Sequence, residues 1–188
     1  MAQQSKNQNI ETSQNVGEAV SKAEKFFKEY GKKVSICTIA VVAVALVIVA
    51  VMQFYVKPLQ AEAANQTYAA EQYFRSGIYD LALNGDGNAL GFAQVVDEYG
   101  KKAGAAVYLY AGICELQLGN ADNAISYLKK YNGKDEILAA RAICCMGDAY
   151  AMKEDYSSAM AQYEKAANYA DNAYAAGYLL KAGMMAEE

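Results

Sequence analysis

Between Lys33 and Lys57 the chain runs for 23 residues without a charged side chain. At a rise of about 1.5 Å per residue an α-helix of that length reaches roughly 34 Å, against a hydrocarbon core of about 30 Å. Ten Ile, Leu and Val residues lie between Ile36 and Val51. At about 0.3–0.6 kcal/mol each they favour insertion into a bilayer by roughly 3–6 kcal/mol. The alternatives are a buried core helix or a strand, and 23 uncharged residues far exceed the ~3–10 residues of a strand. Phe54 and Tyr55 stand near one end, where aromatic rings favour the membrane–water interface. The stretch predicts a transmembrane helix over 34–56.

Ala61-Glu62-Ala63 resembles a signal-peptidase site, but the leader would be 33 residues long. The apolar run also exceeds the ~7–15 residues of a signal-peptide core. An uncleaved signal anchor is the expectation. Five lysines (Lys22, Lys25, Lys28, Lys32, Lys33) precede the span and only Lys57 follows it closely, which predicts a cytoplasmic N-terminus. Residues 1–33 then form a polar, basic cytoplasmic segment and 57–188 an extracytoplasmic domain. In a bacterium that means the inner membrane and the periplasm. Residues 17–33 read as a short helix that either rests Phe26, Phe27 and Tyr30 on the membrane surface or serves as a solvated stem.

The 188 residues include no histidine. This removes Ser-His-Asp and Cys-His catalysis, His-ligated metals and imidazole pH switches. Residues 1–60 carry seven Lys against four Glu. Residues 61–188 carry 10 basic against 17 acidic side chains, a net charge of −7. Nucleic-acid binding requires clustered cations and is not expected of such a domain.

Within 61–188 the sequence repeats. Residues 105–138 set beside 140–173 align Tyr108 with Ile143, Gly112 with Gly147, Ala124 with Ala159, Leu128 with Tyr163 and Tyr131 with Ala166, each 35 residues apart; Gly183 follows Gly147 by 36. Each unit reads as two helices joined by a tight turn, at Gly119-Asn120 in the first and Lys153-Glu154-Asp155 in the second. The glycines fall where the second helix approaches the first, opposite the small Ala124 and Ala159. One pair is too thin to bury its apolar stripe, so neighbours must stack. Residues 61–77 and 88–99 read as a degenerate earlier pair within 61–99, joined by a longer connection over 78–87. Residues 174–188 supply a last helix, with Leu179, Leu180, Met184 and Met185 unusually apolar for a cap.

This pattern resembles the tetratricopeptide repeat. The second unit carries Gly147, Tyr150, Tyr156, Ala159, Tyr163 and Ala166 at the matching places, and the first carries Tyr108, Gly112, Gly119, Ala124 and Leu128. The closing proline is absent; Glu136 and Asp171 stand there. The resemblance implies an all-α fold, a single transmembrane helix followed by a tetratricopeptide-like α-solenoid of antiparallel helix pairs. It also implies a groove lined by the first helix of each pair. By register Leu109, Ile113, Leu116 and Gln117 line it in the first unit, Arg141, Cys144, Asp148 and Met152 in the second, and Leu180 and Met184 in the last helix. Such a mixed surface suits an extended or helical segment of another protein, and methionine tolerates varied partners.

The whole layout is similar to the bacterial ancillary SecYEG translocon subunit family: a cytoplasmic stub, one anchor and a periplasmic helical domain. That resemblance implies accessory work beside the Sec translocon, handing exported chains to periplasmic chaperones. The alternative is an envelope or cell-division component that self-associates. Neither role is enzymatic, and no cofactor or metal is expected.

Three features invite sharper chemistry. Cys114 and Cys144 or Cys145 lie on neighbouring first helices, where a disulfide and packed thiols are both open, with packed thiols favoured; Cys37 lies in the span. The run Asn84-Gly85-Asp86-Gly87-Asn88 places alanines where a calcium loop needs acids, misses the phosphate-binding glycine spacing, and reads as a turn. Glu115 and Asp148 are single carboxylates without the second positioned group that acid–base catalysis needs.

Overall fold

The structure, a computed structural model, describes residues 2–169 and 173–187, with side chains described at Ser21, Glu24, Lys28 and from Tyr30 onward. Asp171, at the place of a repeat's closing proline, and the side chains of Lys22, Lys25, Phe26 and Phe27 therefore lie outside the described residues. The described chain is all-helical, without a strand. It divides into two compact units, Met1–Phe54 and Tyr55–Glu188.

The first unit is helix α1 (Ala2–Val51). Its aliphatic side chains from Ile36 to Val51 stand in the open, Ile39 at 68% exposure. Such side chains cost about 1.5–3 kcal/mol each when left in water. Among the described residues one helical stretch, within Tyr30–Arg75, is long and apolar enough to cross a membrane. A π-helical turn, Met52–Val56, follows α1 in the chain. Pro58 accounts for it: the ring has no N–H to donate and would collide with the carbonyl of residue 54 in a regular helix, so the ladder widens there.

The described residues of the second unit form eight α-helices, α2 (Lys57–Arg75), α3 (Tyr79–Asn84), α4 (Phe92–Tyr99), α5 (Ala105–Gln117), α6 (Ala121–Leu128), α7 (Glu136–Met152), α8 (Tyr156–Tyr169) and α9 (Ala175–Met185), with a 3-10 turn at Gly100–Ala103. Three pairs are antiparallel hairpins closed by one turn geometry. After α2, Ile78 N–H donates to Tyr73 C=O and Gly77 N–H to Phe74 C=O. After α5, Asn120 and Gly119 repeat these bonds to Glu115 and Leu116. After α7, Asp155 and Glu154 repeat them to Tyr150 and Ala151. This arrangement needs a left-handed residue just past the helix. Gly77 (φ 73°), Gly119 (φ 85°) and Glu154 (φ 59°) provide it, Glu154 being the one described non-glycine residue with positive φ.

The helices approach closely at the glycines that the 35-residue repeat aligns, but the side chains that cover them are Leu128 and Tyr163 rather than the small Ala124 and Ala159. A Cβ on Gly112 would lie 2.6 Å from Leu128 Cγ, and a Cβ on Gly147 would lie 2.6 Å from Tyr163 Cε1. Ala124 and Ala159 beside these contacts are wholly buried. In the α2–α3 hairpin, at an offset of 42, Ala70 stands at the glycine's position and Ala82 at the position of Ala124, both wholly buried. The stretch 78–87, expected as a connection, thus contains α3. The partner of α2 in the first hairpin is α3, and α4 is an additional helix.

Successive elements pack in chain order, α3 and α4 on α5, α5 and α6 on α7, and α8 on both α7 and α9. Phe74, Phe92 and Tyr110 join α2, α4 and α5, with ring centroids 5.0–6.1 Å apart. The core falls into three clusters, around Phe92, around Leu109 and Leu128, and around Tyr163. Cys114, Cys145 and Cys144 are free buried thiols, one in each. Burial pushes the Cys114 and Cys145 thiols up to about 12 and raises that of Cys144, which disfavours the reactive thiolate.

The Asn84–Asn88 run is pinned by its own aspartate. Asp86 accepts from the backbone N–H groups of Asn88 (2.9 Å) and Ala89 (2.7 Å), and from the Tyr73 hydroxyl (2.7 Å). The hydroxyl, then the two amides, hold its carboxyl below the usual range. Gly85 and Gly91 permit the loop to fold on itself, since a Cβ on Gly91 would lie 2.3 Å from the Leu83 carbonyl oxygen.

Candidate functional site

The residues expected to line a groove divide by burial. Leu109, Leu116 and Cys144 are buried in the core, Ile113 is partly buried against it, and Asp148 is half-buried. Gln117, Arg141, Met152, Leu180 and Met184 are exposed. Leu109 and Cys144 each stand four helical positions before a partly exposed residue of the same helix, Ile113 and Asp148. The outer surface of α5 and α7 is therefore narrower than register alone suggests, whereas both residues expected on α9 are exposed.

Asp148 is the polar centre of this surface. It lies on α7 at the position equivalent to Ile113. Tyr163 on α8 donates its hydroxyl to Asp148 Oδ1 at 2.9 Å, and Lys181 on α9 donates to the same oxygen at 2.5 Å. The Lys181 ammonium also stands 5.4 Å from the Tyr163 ring centroid. One carboxylate thus ties three helices together. Burial and the negative carboxylate both raise the Tyr163 hydroxyl's pKa. Burial is the largest single influence on the Lys181 pKa and would lower it; the bond to Asp148, the charge of that carboxylate and the nearby Cys144 and Cys145 together outweigh it, and the net shift is upward. The pair is partly exposed, so its contribution is of the order of 1 kcal/mol or less. Leu180 and Met184, either side of Lys181 on α9, stay open to solvent at 68% and 55%.

Two features escaped register reasoning. Arg141 stands in a shallow cavity of about 190 Å³ with Ile137, Leu138, Tyr174 and Tyr178. The repeat alignment starts the second unit at 140, one turn too late for Ile137 and Leu138 to enter it. Asp135 was the available signal: it caps α7 by accepting from Leu138 N–H at 2.9 Å, the ordinary work of aspartate at a helix start. Second, a cavity of about 550 Å³ opens between α6, α7 and α8, lined by Lys129, Tyr131, Gln162 and Lys165 among others. Gln162 Oε1 is buried there without a hydrogen-bond partner. Met152 lies apart from Arg141, beside the ion pair of Lys153 with Asp122 that joins the α7–α8 turn to α6.

Among the described residues no three His, Cys, Asp or Glu side chains converge on a metal-sized site. The surface offers apolar contacts, one arginine, one internally engaged carboxylate and exposed methionines, chemistry suited to holding a chain. No family model, curated protein or solved structure matches this chain.

Proposed function

We propose that this is a single-span membrane protein whose helical domain is a tetratricopeptide-like α-solenoid that binds other proteins outside the cytoplasm. The recurrence of one hairpin pattern supports this reading: a buried glycine or alanine on the first helix and a buried alanine on the second, closed by the same left-handed turn, three times among the described residues. Repeated hairpins stacked in chain order make long surfaces, and such surfaces serve recognition of extended or helical segments. The uncharged 34–56 stretch supplies the anchor, and the lysines before it favour a cytoplasmic N-terminus in a bacterial inner membrane, with the domain in the periplasm. In that position the domain is an adaptor beside the Sec translocon, receiving exported chains or passing them to chaperones.

Photo-crosslinkers placed at Gln117, Met152 and Leu180 in cells test this. Capture of translocon subunits, exported chains or periplasmic chaperones is expected. A translocon-adjacent adaptor role fails if the adducts contain only the protein itself.

Self-association is the second reading, and one observation favours it. Gly112 and Gly147 are covered by Leu128 and Tyr163, whereas a Cβ on Gly183 would meet no atom within 4 Å, and exposed Leu179, Leu180 and Met184 flank it. Crosslinks between copies through Leu180 alone, lost on dilution in detergent, would support that reading.

A further inference from the structure

We propose that the 3-10 turn Gly100–Ala103 is a lipid-facing contact, in which Lys101 and Lys102 bind the phosphates of anionic headgroups; this rests on reading 34–56 as a membrane span. Tyr55 stands at the end of the apolar stretch, the depth at which aromatic rings settle in the interface. The Lys102 ammonium lies 4.5 Å from the Tyr55 ring centroid. The turn packs against α2, which begins at Lys57. Lys102 is therefore held within one side chain of the place where the chain leaves the apolar stretch, at headgroup level.

The turn is shaped to protrude. Gly100 (φ 54°) and Gly104 (φ 90°) bracket it, both in the left-handed region, and open space surrounds each. Lys101 is exposed, and among the described residues no carboxylate pairs with it. Nearby carboxylates limit but do not cancel the charge. Glu62 and Glu98 gather about the Tyr99 hydroxyl, which burial and these two acids hold protonated, and Asp97 lies across a cavity from Lys101 that Lys130 also lines.

Charge complementarity selects the occupant. Residues 61–188 carry a net −7, so an anionic membrane repels most of the domain's surface. A pair of lysines beside the interfacial tyrosine turns that repulsion into orientation: one corner is drawn to the headgroups and the rest held off. A lysine near an anionic surface gains about five-fold in residence there, and salt screens the gain.

The full-length chain in nanodiscs tests this through lysine acetylation rates read by mass spectrometry. Discs of phosphatidylcholine are compared with discs containing phosphatidylglycerol. Lys101 and Lys102 are expected to react about five-fold more slowly in the anionic discs, with the difference lost at molar salt and with Lys134 and Lys165 unchanged. Equal rates at 101 and 102 in both discs, or uniform slowing of every lysine, overturns the proposal while leaving the span reading standing. A chain that stays out of the lipid fraction overturns the span, and the proposal with it.

Discussion

The α5–α6 and α7–α8 hairpins share a frame and differ in what they hang on it. Both seat a glycine of the first helix beneath a large side chain of the second. In the first hairpin that side chain is Leu128, purely apolar. In the second it is Tyr163, whose hydroxyl reaches Asp148 and through it Lys181. The turn residue is Gly119 in one and Glu154 in the other. The residue that follows spends its side chain differently too. Asn120 donates to the buried Glu115 carboxylate at 2.8 Å, whereas Asp155 caps α8 by accepting from Ser158 N–H at 3.1 Å. The small-beneath-large contact is what both hairpins need. The turn residue and polar attachments are exchangeable, and the second hairpin uses its attachments to hold α9.

The largest expected effects come from deleting the large member of each contact. Leu128→Ala is expected to cost about 2–5 kcal/mol and Tyr163→Ala about 3–5 kcal/mol, the range for emptying a packed aromatic or leucine site. Tyr163→Phe keeps the ring and loses one hydrogen bond, about 0.5–1.5 kcal/mol. Urea unfolding of the detergent-solubilised chain measures all three. If Tyr163→Phe costs as much as Tyr163→Ala, the polar attachment and not the ring holds the second hairpin, and the comparison fails.

Next come the glycines themselves. Gly112→Ala and Gly147→Ala force a methyl to within 2.6 Å of a buried neighbour. Overpacking of that kind costs about 1–3 kcal/mol, and the better helix propensity of alanine returns at most about 1 kcal/mol. Gly183→Ala has no neighbour to meet, so the same propensity gain is expected to appear there alone. A thermal melt in which all three variants move in the same direction would dissolve the distinction between covered and open glycines.

These contacts were legible because 35-residue spacing aligned identical residue types: Gly112 with Gly147 and Ala124 with Ala159. The first hairpin was hidden because its offset is 42 and Ala70 replaces the glycine, in a domain where alanine is too common to stand out. Gly77, Gly85 and Gly87 around the six residues of α3 also imitate a loop. The candidate surface was legible only in part. Helices α5 and α7 are apolar around most of their circumference, with Val107, Leu109 and Cys114 buried on one and Ala139, Ile143, Cys144 and Ala149 on the other. Periodicity separates inside from outside only where one face is polar. Which of Leu109 and Ile113 turns outward is decided by the neighbouring helices.

A smaller effect separates the hairpins by pH. The folded-state pKa values of Tyr163 and Lys181 are both raised, so the folded protein holds these protons more tightly than the unfolded chain. Their contribution is full below the unfolded values of about 10 and 10.4 and is lost as pH rises past the folded values. The Tyr127 pKa on α6 is raised as well, chiefly by burial, so α6 also loosens at alkaline pH; what sets α8 and α9 apart is the share that depends on Asp148. Hydrogen exchange across alkaline pH is expected to show Asp148→Asn changing the loosening of α8 and α9 while leaving that of α6 as it was. No change at α8 and α9, or an equal change at α6, would place the alkaline weak point outside this network.

The smallest effect concerns the turn. Glu154 holds the left-handed conformation that Gly119 holds at no steric cost. A side chain in that region is strained by about 1–2 kcal/mol, partly offset because glycine leaves the unfolded chain more freedom. Glu154→Gly is therefore expected to stabilise by a few tenths to about 1 kcal/mol, and Gly119→Ala to destabilise by about 1 kcal/mol or slightly more. The two together compare the same turn with opposite occupants. Equal and opposite shifts in Tm mean the turns are interchangeable parts. Destabilisation by Glu154→Gly would mean that the Glu154 side chain makes a contribution larger than the strain it bears, and the second turn would then be a specialised one.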